Sequence, residues 1–331
     1  MNPATTQSLF FQHLKSYVPP HKALVEEVAD LLGISTDSAY RRIRGEKPLG
    51  LSELQQLAAH YKVSLDQLLN LQSDAVLFTG KPAAHAPVTL DSWLTRMLGQ
   101  LQLMNSFGRR HLYYLLKDIP PFYHFQIPEL TEFKMFFWMK SILHYDSLKG
   151  VQFRFGDPQY ENSHALCQRI VALYSEMPTT EIWNAESVNS TLRQIEFYHQ
   201  AGAFASPDDA RLLYEKVAEL LDAIEYQAEV GVKCIMKQPG SSRLSYRLFV
   251  NELILGDNTL LVELDDIRLT YLNHSVLHFL GTRDEEFNDF MFANLDNLMK
   301  KSTLISGVGE KERSQFFNAM RQNIHHRARM L

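Results

Sequence analysis

The sequence predicts a mainly α chain in two parts. A small all-helical unit covers residues 1–71, and a larger, mostly helical α+β domain over residues 89–331 carries a short β-hairpin or small sheet in its last third. Three observations give this reading. Apolar residues recur at three- and four-residue intervals through residues 25–43. Residues 72–88 mix proline, glycine and alanine without a sustained period, which marks a linker. Short β-prone runs then appear only from about residue 243.

Val25, Val28, Ala29 and Leu32 give a helix with one narrow apolar stripe. Gly33 stops it, because a glycine just past the last apolar residue adopts a left-handed conformation at little cost. Ile34 plugs the corner, and Ser35, Thr36 and Asp37 supply short oxygen-bearing side chains that suit an N-cap and leave the first amides of the next helix free to meet a DNA phosphate, which places Ser35 among the DNA-binding candidates. That next helix runs to about Arg44, with Ala39 and Ile43 inward and Tyr40, Arg41 and Arg44 on other faces, and Gly45 ends it.

This stretch resembles the Cro and phage-repressor (XRE) helix-turn-helix family. Small Ala29 sits where two helices cross, Gly33 at the turn, and Ile34 and Ala39 at core positions. The resemblance implies a five-helix, lambda-repressor-like DNA-binding domain whose partner is a double-stranded DNA operator, with a first helix over Thr6 to about Tyr17 whose core face is Leu9, Phe10 and Leu14, and closing helices around Leu51–Tyr61 and Val63–Leu69. Its base-facing positions fall on Thr36, Asp37, Tyr40 and Arg41, behind the Ser35 cap. The family places an apolar residue nine positions after the turn glycine, where this chain has Arg42, with Ile43 beside it. Of Arg41 and Arg42, Arg41 is the choice for the major groove, where an arginine can donate two hydrogen bonds to guanine, worth roughly 1–3 kcal/mol of discrimination. Arg42, Arg44 and Lys47 are assigned to phosphates, which fix register without reading sequence.

Charge is unevenly spread. Residues 1–70 hold 7 Lys+Arg and 7 Asp+Glu, residues 71–299 hold 19 and 29, and residues 300–331 hold 7 and 2, which divides the net −5 into 0, −10 and +5. The acidic middle would repel DNA. The basic tail is either a second DNA surface or a charged helix face against an acidic neighbour. No run of about 18 apolar residues occurs, and the opening MNPATTQSLFFQH lacks a basic segment followed by an apolar one. Neither a membrane span nor a signal peptide is therefore expected, and the cytoplasm is the default location. Cys167 and Cys234 show no metal-ligand spacing and read as buried or free thiols.

In the larger domain, helices are expected over Asp91–Leu116, Pro128–Leu148, Glu161–Ser175, Thr180–Ala201 and Asp208–Val230, the last opened by Ser206-Pro207. Strands are expected over Leu244–Leu255 and Thr259–Leu272, joined as a hairpin by Gly256-Asp257-Asn258. A helix over Asp284–Lys301, an apolar run Thr303–Ile305 and a basic terminal helix follow.

No catalytic constellation emerges. Gly307-Val308-Gly309 lacks the further glycine and lysine of a phosphate loop. His325-His326 project to different helix faces, and Asp265-Asp266 alternate on a strand. The aromatic residues Tyr113, Tyr114, Phe122, Tyr123, Phe125, Phe133, Phe136, Phe137 and Trp138 read first as helical core or dimer interface, and second as the wall of an effector pocket. The sequence thus points to a dimeric, sequence-specific transcriptional regulator rather than an enzyme. No cofactor is expected, and the larger domain would dimerise or sense a small-molecule or protein effector. The alternative is a tethering or adaptor module whose DNA binding is secondary.

Overall fold

The computed structural model describes residues 3–15, 17–18, 22–61, 63, 65, 76–80, 89–236, 238, 243–252, 256 and 258–331. It divides into two compact units, Met1–Leu77 and Phe78–Leu331. Most of the expected linker, 72–75 and 81–88, and most of the expected fifth helix over 63–69 lie outside the described residues.

Unit 1 contains α1 (Pro3–Lys15), α2 (Leu24–Leu32), α3 (Thr36–Ile43) and α4 (Leu51–Tyr61). Phe10, Phe11, Leu14, Val28, Ala29, Ala39 and Leu57 form its core. The first helix sits a quarter turn from expectation: Phe11 is buried and Leu9 is exposed. A 10, 11, 14 stripe satisfies helical periodicity as well as a 9, 10, 14 one, and the larger ring takes the core.

Unit 2 is built on one seven-stranded mixed sheet, and its strands are not confined to the last third of the chain. After α5 (Leu90–Asn105), strand β1 (Arg110–Leu115) occupies the end of the segment read as helix over Asp91–Leu116. Three helices follow, α6 (Pro121–His124), α7 (Pro128–Phe137) and α8 (Glu161–Ser175). Strand β2 (Thr179–Trp183) then takes the start of the segment read as helix over Thr180–Ala201, leaving α9 as Asn189–Gln200. After α10 (Pro207–Val230) come β3 (Tyr246–Val250), β4 (Thr259–Leu264), β5 (Ile267–Ser275), β6 (His278–Thr282), α11 (Glu285–Lys300), β7 (Thr303–Leu304) and α12 (Glu310–Ala328).

The strand order is β6-β5-β4-β1-β2-β3-β7. β1, β2 and β3 run parallel, joined by helical crossovers, and the remaining pairs are antiparallel. Gly256 and Asn258 therefore belong to a connection that carries the chain from β3 to the far side of β1, not to a hairpin turn. The hairpin turn is Asp265-Asp266, with Asp265 left-handed at φ 50°.

Both faces of the sheet are covered. Leu112, Tyr114, Trp183, Leu248 and Val262 face the main helical layer, whereas Ile182, Phe249 and Leu261 pack on Phe292 and Leu295 of α11. Burial on both faces removes the polar alternation that would have announced β1 and β2.

The helical side of the sheet encloses a polar cluster. Fully buried Glu181 accepts four hydrogen bonds, from the hydroxyls of Tyr123 (2.8 Å), Tyr174 (2.6 Å) and Tyr246 (3.0 Å) and from the Trp183 indole (2.8 Å). The Lys233 ammonium lies 3.5 Å from the centre of the Tyr174 ring, and burial pulls it down to about 7. Acceptance from four donors accounts for a carboxylate in the middle of a buried strand.

At the C-terminal end, Arg321 pairs with Asp222 (2.6 Å) and with Glu225, and Arg327 pairs with Glu196 (2.7 Å). The basic terminal helix thus turns charge onto acidic neighbours in α9 and α10, the second of its two sequence readings.

Candidate nucleic-acid interface

Local chemistry sets the angle between α2 and α3. Gly33 is left-handed at φ 63°, and the Ile34 amide donates back to the Ala29 carbonyl at 3.0 Å, closing α2. Ser35 follows in an extended conformation, and its Oγ accepts from the Ser38 amide at 3.3 Å, opening α3. Two residues thus end one helix, turn the chain and start the next.

α3 separates its residues by face. Ala39 is fully buried, whereas Ser35, Thr36, Asp37, Tyr40, Arg41 and Arg44 are exposed, as is Lys47 just beyond the helix. The Arg44 guanidinium lies over the Tyr40 ring at 5.1 Å, which holds both side chains on one surface. Arg41 and Arg44 each stand 3.8 Å from Glu46, in exposed geometry. Such pairs contribute little and are exchanged readily for a stronger anion.

Arg42 does not belong to this surface. Its side chain is buried, donating to Glu53 through Nε (3.0 Å) and Nη2 (2.6 Å) and to the Ser38 carbonyl through Nη1 (3.1 Å). The guanidinium in turn holds the Glu53 carboxyl below its ordinary range. The assignment of Arg42 to a phosphate is therefore corrected: its donors point inward and are occupied. Arg42 fills the inward slot nine positions after Gly33, so the helix needs no rotation to bring Ile43 there. With Arg42 inside, Arg41 faces solvent.

Gln7 of α1 is a functional-site support that sequence reasoning missed. Its amide donates to the carbonyls of Arg42 (2.7 Å) and Lys47 (2.8 Å) and accepts from the Leu49 amide (2.9 Å). It pins the loop that follows α3. A glutamine thirty-five residues away has no local signal in the sequence; only the packed helices bring it there.

Neighbouring groups hold both the Gly307-Val308-Gly309 turn and Asp265-Asp266. Gly307 and Gly309 take positive φ values of 66° and 70°, and the buried Arg313 side chain donates to the carbonyls of Ile305 and Val308 at 3.1 Å. The turn is thus held by its own helix. Asp266 pairs with Arg109 at 2.7 Å, and the Asp265 side chain accepts from the Arg109 amide. Among the described residues, no group of three or more His, Cys, Asp or Glu is placed to hold a metal ion, and no helix is long and apolar enough to cross a membrane.

Comparison with known proteins adds one finding. No curated protein and no solved structure matches the chain. Residues 12–91 match the BetR domain, a helix-turn-helix-like family distinct from the Cro and phage-repressor one, and the match takes in α2, the turn and α3.

Proposed function

We propose that the chain is a transcriptional regulator whose unit 1 reads double-stranded DNA with the exposed face of α3. The observation that carries this is the sorting of arginines on α3. Arg42 is buried and paired, while Arg41 and Arg44 stand with Tyr40 and Thr36 on an exposed surface, unengaged except by weak contacts with one another and Glu46. A helix that solvates itself needs no such division. The BetR match over the same residues supports a DNA-binding, regulatory role.

In this reading α2, the turn and α3 of unit 1 act as a helix-turn-helix, in the manner of the Cro and phage-repressor proteins that this segment resembles. Arg41 reaches base edges in the major groove, Thr36, Asp37 and Tyr40 flank it, and Arg44 and Lys47 meet phosphates. Unit 2 supplies dimerisation. One recognition helix reads only a few base pairs, so discrimination over a genome calls for two heads on symmetric half-sites. The test is selection from random DNA by the full-length protein, read by sequencing. An enriched inverted repeat supports the proposal. Salt-sensitive binding without enrichment refutes it and favours a tethering role.

A further inference from the structure

Unit 2 contains a cavity of about 750 Å³ bounded by α5, by α6 and α7, and by β4 to β6. Its volume lies within the range of small-molecule sites. The walls are predominantly apolar, with Trp93, Met97, Leu101, Phe122, Leu260 and Leu269 contributing.

The charged groups on this wall are of one dominant sign. Arg96, Lys134 and Arg283 face a single carboxylate, Asp118. Lys134 is 6% exposed, and its ammonium makes one hydrogen bond, 2.8 Å to the neutral amide oxygen of Gln194. Among the described residues no carboxylate lies within ion-pair distance of it. Burial lowers Lys134 to about 8, and the Asp118 carboxylate on the same wall partly opposes that lowering. A buried ammonium with one neutral acceptor is costly, and a chain stabilised only by packing would be expected to carry a leucine or methionine there. His124, also buried on this wall, is kept neutral by burial and by the Lys134 charge, so it does not compete for an anion as a second cation.

We propose that this cavity binds an organic acid with an apolar body, its carboxylate received by Lys134. The surplus of positive charge disfavours amines. Lys134 distinguishes an acid from a neutral ligand of the same shape. This inference concerns unit 2 alone and stands apart from the DNA-reading proposal.

The test is calorimetric titration of the full-length protein with three probes of one shape: 4-phenylbutyrate, 4-phenylbutanol and 4-phenylbutylamine. The acid should bind at least about tenfold tighter than the alcohol, and the amine weakest. Lys134→Met should bring the acid down to the level of the alcohol and leave the alcohol unchanged or tighter. Met97→Trp, which fills the cavity, should abolish binding of both. The proposal is overturned by equal binding of acid and alcohol to the unaltered protein, by absence of acid binding, or by a preference that survives Lys134→Met. The acid–alcohol comparison on the unaltered protein decides the matter even if a variant does not fold.

Discussion

Replacing Arg42 by methionine separates a structural arginine from a DNA-contacting one. The change removes two charge-assisted hydrogen bonds to Glu53 and one to the Ser38 carbonyl, and leaves Glu53 with the Gly50 amide at 3.1 Å. Breaking a buried ion pair from one side costs about 3–5 kcal/mol. Here the Glu53 side chain retains 23% exposure and can recruit water, so the cost falls below that fully buried range, to about 2–3 kcal/mol. For a unit of this size each kcal/mol shifts the melting temperature by roughly 4–8 °C, so the unit should melt about 10–20 °C lower.

All three tryptophans, at positions 93, 138 and 183, lie in unit 2, so fluorescence is blind to the event. Hydrogen exchange of peptides covering residues 24–61 reports it, with exchange expected to accelerate roughly 30- to 150-fold. If exchange is unchanged while DNA affinity falls and its salt dependence flattens, Arg42 is a phosphate contact and its inward placement is wrong.

Three further outcomes follow from the same geometry. Arg44→Ala should weaken binding to all DNA sequences alike and lower the slope of log affinity against log salt by about 0.9, measured by titration at several salt concentrations; a change confined to one base position would contradict its assignment to phosphate. Ser35→Ala removes the oxygen that caps α3 and should cost about 1 kcal/mol in the exchange protection of residues 36–43, whereas no loss would mean that the Ser38 amide finds water without penalty. Lys233 is held at about 7 inside the protein against an ordinary 10.5, so the folded chain binds fewer protons than the unfolded one between those values and stability rises with pH across that window. Lys134, lowered to about 8, contributes in the same direction above that pH. Lys233→Met should reduce the rise by up to roughly 1.4 kcal/mol per pH unit in urea unfolding between about pH 7 and 9, and an unaltered slope would show that the ammonium is solvated.

What was legible in the sequence was what is decided locally. Gly33, Ser35 and the 28, 29, 32 stripe fix α2, the turn and the start of α3 through conformational cost, a capping oxygen and helical period, all within a dozen residues. Arg42, next to Arg41 and two residues from Arg44, looks solvent-facing in the sequence; its partner Glu53 lies on the next helix, and only the packed unit brings the two together. The strands β1 and β2 were read as helix for a related reason. α11, far later in the chain, buries their second face, so RHLYYL and TTEIW lose the alternation that marks a strand. Several of the aromatic residues are core, with Phe133 packed edge to face on Phe153 and Tyr198 and Phe136 edge to face on Tyr198, whereas Tyr114, Phe122 and Trp138 reach the cavity wall. Lys134 did carry a signal. A lysine between Phe133 and Met135 in the run FKMFFWMK is a charge inside an apolar helix, and such a charge is expected to be paired or used.

The most direct test of the account is a missing-contact measurement with full-length protein and its Arg41→Ala variant. Each base pair of the selected half-site is substituted in turn. At one position, substitutions should weaken the unaltered protein by about 1–3 kcal/mol and leave the variant indifferent, because the side chain that reads that base is gone. If the variant loses affinity equally for every substituted site, Arg41 reads no base and the exposed face of α3 is not the reading surface.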